Sequence, residues 1–229
     1  MKQFSSILLA AFMLITSVSF AGGKKKGDDK FTGTIVFKIS AEGREITPTE
    51  QAQMPTETIF YYRENMMRND NVMPMASVFT ITNIDTKETI LLLDQMGQKM
   101  HMTISSEDMK KIEEKRENDT TNVKTIYNLL EGTKTIAGYN CKKAEAVKGE
   151  KKTTIYYTED IKAEQKEFKD APGFVMNYTI EIPDDELYLV YQVTTVTTKK
   201  PKKTLFSIPN DFSEMPEAYT KQIRSSMGL

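Results

Sequence analysis

The residues whose types and spacing could do chemistry are few in this chain. His101 is the only histidine, and a methionine stands on each side of it, at Met100 and Met102. Thioether and imidazole groups are good ligands for Cu(I), so a soft-metal site that also draws on Met73 and Met75 is one hypothesis. On a β-strand, however, Met100 and Met102 point to the face opposite His101. The pattern therefore predicts no metal site, and copper handling is the weakest of the functional hypotheses.

Catalysis finds little support in the sequence. A hydrolytic triad needs a base beside a nucleophile, yet no nucleophile motif lies near His101, and neither G-x-S-x-G nor H-E-x-x-H occurs. Cys141, the only cysteine, precedes two lysines that would lower a thiol pKa, but strand alternation turns it away from Lys142. We expect it to be a buried structural residue. The acidic run at 184–186 is typical of a solvated turn. We predict a non-enzymatic protein without a cofactor.

The elements that must position these residues show the period-two alternation of half-buried β-strands. Ile35, Phe37 and Ile39 share one face of the first such segment, at 34–40. Roughly ten segments of this kind follow closely, the last at 205–208, with turn residues such as the run 69–71 between them. Antiparallel pairing fits, because parallel strands need crossovers of about a dozen residues. We predict a mainly β (α+β) fold: a single curved antiparallel sheet or unclosed barrel of roughly ten strands, with a few short helices as a lid.

The segments predicted to lie outside the sheet are short. Residues 46–58 contain two prolines and are expected to form a loop or a short irregular helix. Ser105 or Ser106 is a candidate cap for a helix over 107–117. A further helix is predicted over 216–227, near the C-terminus.

The N-terminus has the three parts of a secretory signal. Lys2 supplies a positive charge, residues 4–20 carry none, and Ser19 and Ala21 offer the small side chains of a cleavage site. We expect cleavage after Ala21 and a periplasmic or secreted location. Residues 22–30 then form a flexible charged tether, and 31–229 form one domain, a size that buries a core without disulfides.

Composition narrows the range of partners. The chain carries 31 basic and 32 acidic residues, without the basic excess typical of nucleic-acid-binding proteins, so we expect no nucleic-acid partner. No transmembrane span is expected after signal cleavage. The triplet Asp119-Thr120-Thr121 resembles an O-glycosylation acceptor of exported proteins, although an ordinary polar loop accounts for it as well.

Several phrases along nearly the whole mature chain resemble a secreted family, common in Bacteroidetes, whose domain has no assigned function. The most specific is Thr135-Ile-Ala-Gly-Tyr-Asn-Cys-Lys-Lys-Ala144, and the others include Gly33-Thr-Ile-Val-Phe-Lys38, Ile90-Leu-Leu-Leu-Asp94 and Phe206-Ser-Ile-Pro209. That family is similar to the lipoprotein-carrier fold of LolA and LolB, in which a curved, unclosed antiparallel sheet wraps around a hydrophobic cavity. The resemblance implies an envelope protein that holds a lipid or another apolar ligand, and it assigns no catalytic residues.

The leading hypothesis is therefore an exported, non-enzymatic binding protein with an apolar ligand on the concave face of its sheet. Methionine is frequent here, with 14 residues, and its flexible side chain suits surfaces that accept varied apolar partners. An ordinary core that uses methionine as filler explains the same alternation. The alternative is a ligand-free envelope scaffold that binds another envelope protein. The predicted ligand-binding residues are Ile35, Phe37, Ile39, Met100, Met102, Phe174, Met176 and Tyr178.

Overall fold

The computed structural model describes residues 30–118, 123–168, 170–182 and 186–229. The predicted signal peptide, nearly all of the tether and the triplet Asp119-Thr120-Thr121 therefore lie outside the described residues, as do two residues of the acidic run 184–186. None of the helices in the described ranges combines the length and the apolar character needed to span a membrane.

Strands make up most of the regular structure, with 52% of the residues in strands and 17% in helices, which confirms the mainly β prediction. The twelve strands, β1 to β12 in chain order, are Gly33–Gly43, Glu57–Arg63, Met66–Val72, Ala76–Asn83, Thr89–Gln95, Gln98–Ile104, Ile126–Ile136, Tyr139–Lys148, Lys151–Thr158, Phe174–Ile182, Leu187–Thr197 and Ser213–Glu214.

All twelve strands belong to one unclosed sheet, in the order β12-β6-β5-β4-β3-β2-β1-β11-β10-β9-β8-β7. Every pair is antiparallel except β12 with β6, so the sheet is mixed and has two more strands than the roughly ten expected. Its β7 end is curled. Lys134 Nζ on β7 lies 3.3 Å from Gln192 Oε1 on β11, whereas a flat sheet would hold strands four places apart about 19 Å from each other.

Three helices complete the fold: α1 at Pro48–Gln53, α2 at Ser106–Asn118 and α3 at Glu217–Ser226. Thr47 and Glu50 form a capping box at α1, where each side chain bonds the other residue's backbone N–H. Ser105 Oγ accepts from the Asp108 backbone N–H at the start of α2, as predicted for a cap. The predicted α2 and α3 are thus confirmed to within about two residues.

Cross-strand pairing defines two faces of the sheet. Consecutive partners across β1 to β6 lie on the same side, which we name the covered face: Phe37, Thr58, Asn71, Val78, Leu93 and Met100. The neighbouring row defines the outer face: Ile59, Asp70, Phe79, Leu92 and His101. Each strand therefore contributes alternate residues to two different environments.

The outer face is crossed by residues 199–212, which we name the C-terminal strap. Arg63 on β2 donates to the Pro201 carbonyl at 2.7 Å, and Lys99 on β6 pairs with Asp211 at 2.7 Å. The strap thus reaches from the middle of the sheet to its edge, where β12 adds to β6. The strand predicted at 205–208 is wrong, because this segment is a 3-10 helix at Lys203–Phe206 followed by irregular chain that packs across strands instead of beside one.

The turn predicted at 69–71 is also wrong, because these residues lie inside β3. Their polar side chains resembled a turn, but each has a place on the sheet. Asp70 pairs with Arg68 on the outer face, and Asn71 accepts from Thr58 Oγ1 at 2.8 Å on the covered face. The two strands predicted over 123–136 are one strand, β7, with an irregularity between Leu130 and Thr133.

Candidate functional site

Of the eight residues predicted to bind a ligand, strand pairing places six on the covered face, and Phe174 and Met176 belong to the same apolar cluster at a β-bulge in β10. Ile39 pairs with Tyr191, which pairs with Tyr178, so the face defined by Phe37 continues across β11 and β10. Met102 lies two residues beyond Met100 on β6 and points the same way. Strand alternation thus brings residues that are far apart in the chain to one side of the sheet, except at the bulge in β10, and ligand binding by these residues stays a prediction.

The structure divides these eight residues between two apolar clusters. Six belong to what we name the aromatic half of the covered face, built on β1 to β3 and β7 to β11: Ile35, Phe37, Ile39, Phe174, Met176 and Tyr178. Met100 and Met102 belong to the methionine half, on β4 to β6, with Val78, Leu91 and Leu93. A ligand the size of one acyl chain in either half would contact only part of the predicted set.

Aromatic rings contact one another throughout the aromatic half. Phe37 packs edge-on against Phe60 at 5.8 Å between centroids, and Tyr178 stacks on Tyr191 at 4.6 Å. Such pairs contribute about 0.5–1.5 kcal/mol each beyond area burial. Burial raises the pKa of both Tyr178 and Tyr191, so their phenols stay protonated at neutral pH.

The cover of the aromatic half is the connection between β9 and β10, residues 159–173, which we name the β9–β10 cover. In the described part of this segment, the regular structure is a 3-10 helix at Lys166–Phe168. The Phe168 ring meets Tyr178 edge-on at 4.7 Å, and Tyr62 Oη donates to the Glu164 carbonyl at 2.7 Å. The Gln165 side chain bonds both the N–H and the carbonyl of Val175, at 2.8 and 3.1 Å. Ring contacts and hydrogen bonds thus hold an irregular segment over the rings.

Two helices cover the methionine half. Met109 and Ile112 of α2 and Ile223 of α3 are buried against it, together with Met215. Arg224 Nη1 on α3 lies 3.0 Å from Asp108 Oδ2 on α2 and joins the two helices. The predicted helical lid is therefore present, but it covers the half that contains only two of the eight predicted residues.

Polar groups separate the two halves of the covered face. Thr82 and Thr89 share a buried hydrogen bond of 3.1 Å between their hydroxyls. Nearby, Lys87 is close enough to interact electrostatically with Glu164 of the β9–β10 cover, and burial lowers its pKa. Among the described residues, Asn69 Oδ1 and Glu164 Oε2 are buried and accept no hydrogen bond. Unsatisfied buried acceptors are costly, so these two atoms would gain from a donor. Sequence alternation gave no signal for Glu164, which lies outside the strands.

The protein's own side chains fill the covered face in this conformation. Seven of the eight predicted residues are less than a tenth exposed, including Met176 at 0% and Phe37 at 1%, and Ile39 is half-buried. A ligand can therefore reach these residues only when a cover moves.

The candidate metal ligands do not come together. Met100 and Met102 are buried on the covered face, whereas His101 pairs with Leu92 on the outer face. Met73 is buried in the methionine half, but Met75 is exposed. No group of three or more His, Cys, Asp or Glu side chains in the described ranges is arranged to hold a metal ion.

Cys141 is fully buried on β8, and the prediction of a structural cysteine is confirmed. Burial is the main cause that raises the pKa of its thiol, so the thiolate needed for nucleophilic chemistry is disfavoured.

The fold and the site define a mainly β protein whose open sheet carries one covered apolar face. No family model and no curated protein matches the chain. Solved structures similar to it include PNGF-II, at 16% identity and a TM-score of 0.46 over 86% of this chain and 33% of that chain. MucB matches at 10% identity and a TM-score of 0.33 over 92% of this chain and 64% of that one.

A DUF1329 family protein from Desulfovibrio piger ATCC 29098 matches at 10% identity and a TM-score of 0.35, over 89% of this chain and 96% of that one. The present chain spans about a third of the PNGF-II chain. Likenesses with TM-scores below 0.5 carry no conclusion about function, and membership of the secreted family that the sequence resembles stays a prediction.

Proposed function

We propose that this chain is an exported, non-enzymatic binding protein that takes up a lipid or another apolar ligand on the covered face of its sheet. One observation carries the proposal. An apolar face whose buried residues come from β1 to β11 is covered by segments outside the sheet instead of by a second sheet.

Uptake requires the β9–β10 cover to move, because the rings beneath it are buried. The cover is the element best suited to do so, because its described residues form little regular structure. When it moves, a ligand chain replaces Phe168 on the Tyr178 ring. A ligand with a hydroxyl, amide or amine end would also satisfy the acceptors at Asn69 and Glu164.

The location and the absence of enzymatic activity are part of the same proposal. The predicted signal peptide supports export. The lone histidine lies on the outer face, away from the apolar rings, and the lone cysteine is buried, so neither side chain is placed to act on a ligand there.

A second function, a ligand-free scaffold or interaction protein of the cell envelope, is favoured by a different observation. The near-complete burial of the predicted ligand-binding residues is what a packed core requires, and it needs no ligand. The two functions differ in whether the β9–β10 cover opens to admit an apolar molecule.

Titration with N-phenylnaphthylamine, a probe that fluoresces in apolar surroundings, separates the two functions. We expect the wild type to bind the probe and Phe168→Ala to bind it about two- to tenfold more tightly, because the lost ring pair favours the open cover. Phe212→Ala is the matched control, since it removes a ring pair with Phe79 on the outer face and should leave binding unchanged.

Ile39→Glu places a charge in the aromatic half at a position that is only half-buried, so the variant should fold but lose the probe. Failure of both the wild type and Phe168→Ala to bind the probe would overturn the ligand proposal in favour of the scaffold. Equal binding by folded Ile39→Glu would show that the probe binds elsewhere, and would overturn the site.

A further inference from the structure

The free edge of the sheet at β7 is apolar and exposed. Ile126, Leu129 and Leu130 are 62%, 67% and 42% exposed, and strand alternation points Ile126 and Leu130 to one face and Leu129 to the other. No described strand pairs with the outer edge of β7, so its outward N–H and carbonyl groups are available to another strand.

The opposite edge of the sheet is protected. There β12 pairs with β6, Met215 N–H donates to the His101 carbonyl at 2.8 Å, and α3 follows at once. Edge strands are commonly guarded by lysine, proline or a bulge. In β7 the irregularity after Leu130 and the charge of Lys134 come only beyond the apolar segment, so residues 126–130 have no such guard.

Residues 126–130, Ile-Tyr-Asn-Leu-Leu, are complementary to themselves in an antiparallel pairing centred on Asn128. Ile126 then lies opposite Leu130 of the second copy, and Tyr127 lies opposite Leu129. Each face of the new ladder thus receives apolar pairs, and an uncharged amide meets its own copy at the two-fold axis.

The charged residues near the two ends of this pairing do not oppose it. Thr125 lies opposite Glu131 of the second copy, and Lys124 lies opposite Gly132, so no like charges face one another across the paired segment.

We propose that β7 is a homodimerisation edge, at which two copies pair antiparallel through residues 126–130 with Asn128 on the two-fold axis. The pairing joins two twelve-stranded sheets into one. Assembly stops at two copies, because the other edge of each sheet is already covered. It is independent of ligand uptake, because it uses the far edge and not the covered face.

Substitutions at Asn128 test both the dimer and its register. In Asn128→Lys, and equally in Asn128→Asp, two like charges meet at the axis, and we expect dimer dissociation constants about tenfold or more above that of the wild type. A mixture of the two variants should dimerise again, since opposite charges then meet. Thr135→Lys adds a charge to the same strand outside the paired segment and should behave as the wild type.

Sedimentation velocity over a range of concentrations, with circular dichroism to verify folding, gives the readout. A wild type that stays monomeric up to its solubility limit overturns the proposal. A dimer that Asn128→Lys leaves intact, or variants that do not recover dimerisation on mixing, overturn the assigned pairing.

Discussion

Arg68 and Asp70 form the most enclosed ion pair on the outer face. Arg68 Nε lies 2.5 Å from Asp70 Oδ1, Nη2 donates to Oδ2 at 3.1 Å, and each side chain is only a tenth exposed. Arg68 Nη1 also donates to the Leu205 carbonyl at 2.8 Å. Burial raises the pKa of Asp70, while Arg68 opposes that shift. Because desolvation offsets most of the attraction in such pairs, we infer that this one positions the C-terminal strap more than it stabilises the fold.

Arg68→Ala should therefore lower the free energy of unfolding by about 3–5 kcal/mol, because it leaves the Asp70 carboxylate buried without its cation. The double variant Arg68→Met, Asp70→Leu removes both charges and keeps the volume, and we expect it to lie within about 2 kcal/mol of the wild type. Urea unfolding of the three proteins measures the difference. Equal losses in the single and double variants would contradict a positioning role.

At the scale of elements, the sequence predicted those strands and caps whose determining contacts lie close together in the chain. Strands such as β1 and β6 alternate strictly, and the cap at Ser105 is three residues from its partner, so both were predictable. β3 was not, because partners for Asp70 and Asn71, namely Arg68 and Thr58, are set by the folded sheet and not by a local turn. The strap was mistaken for a strand for the same reason, since Arg68 and Leu205 are separated by 137 residues.

The two helices over the methionine half provide a test through pH. A hydrogen bond from Arg224 is the main cause that lowers the pKa of Asp108. With a lowered folded pKa, the Asp108 contribution to stability is present above the ordinary aspartate value, near 4, and is lost as pH falls through the folded pKa.

We therefore expect Asp108→Asn to lower the free energy of unfolding by about 1 kcal/mol or less at neutral pH, since Arg224 is a third exposed. Below the folded pKa of Asp108, the substitution should leave the free energy of unfolding unchanged. Urea midpoints at neutral and acidic pH measure this difference. Glu107→Gln is the matched control on the same turn, because Glu107 pairs with Lys111 at an exposed position. An Asp108→Asn variant that keeps the wild-type pH dependence would contradict the role of this link.

At the scale of the whole molecule, one sheet presents a single apolar face to two different covers. Alternation predicted apolar residues that the structure buries in two clusters, although a bulge interrupts the alternation of β10 at Met176. It did not predict that the face divides into two halves, nor that an irregular segment instead of a helix covers the aromatic half. Those features depend on contacts such as Phe168 with Tyr178, and sequence periodicity carries no signal for contacts outside the strands.

Native mass spectrometry of the protein purified from a host that expresses the full chain, with organic extraction of the same sample in parallel, tests the central claim most directly. We predict a co-purified apolar mass on the wild type that is lost from folded Met176→Glu, because Met176 is fully buried in the aromatic half. A wild type that carries no such mass and gains none when incubated with lipid would contradict the account and leave the scaffold function in its place.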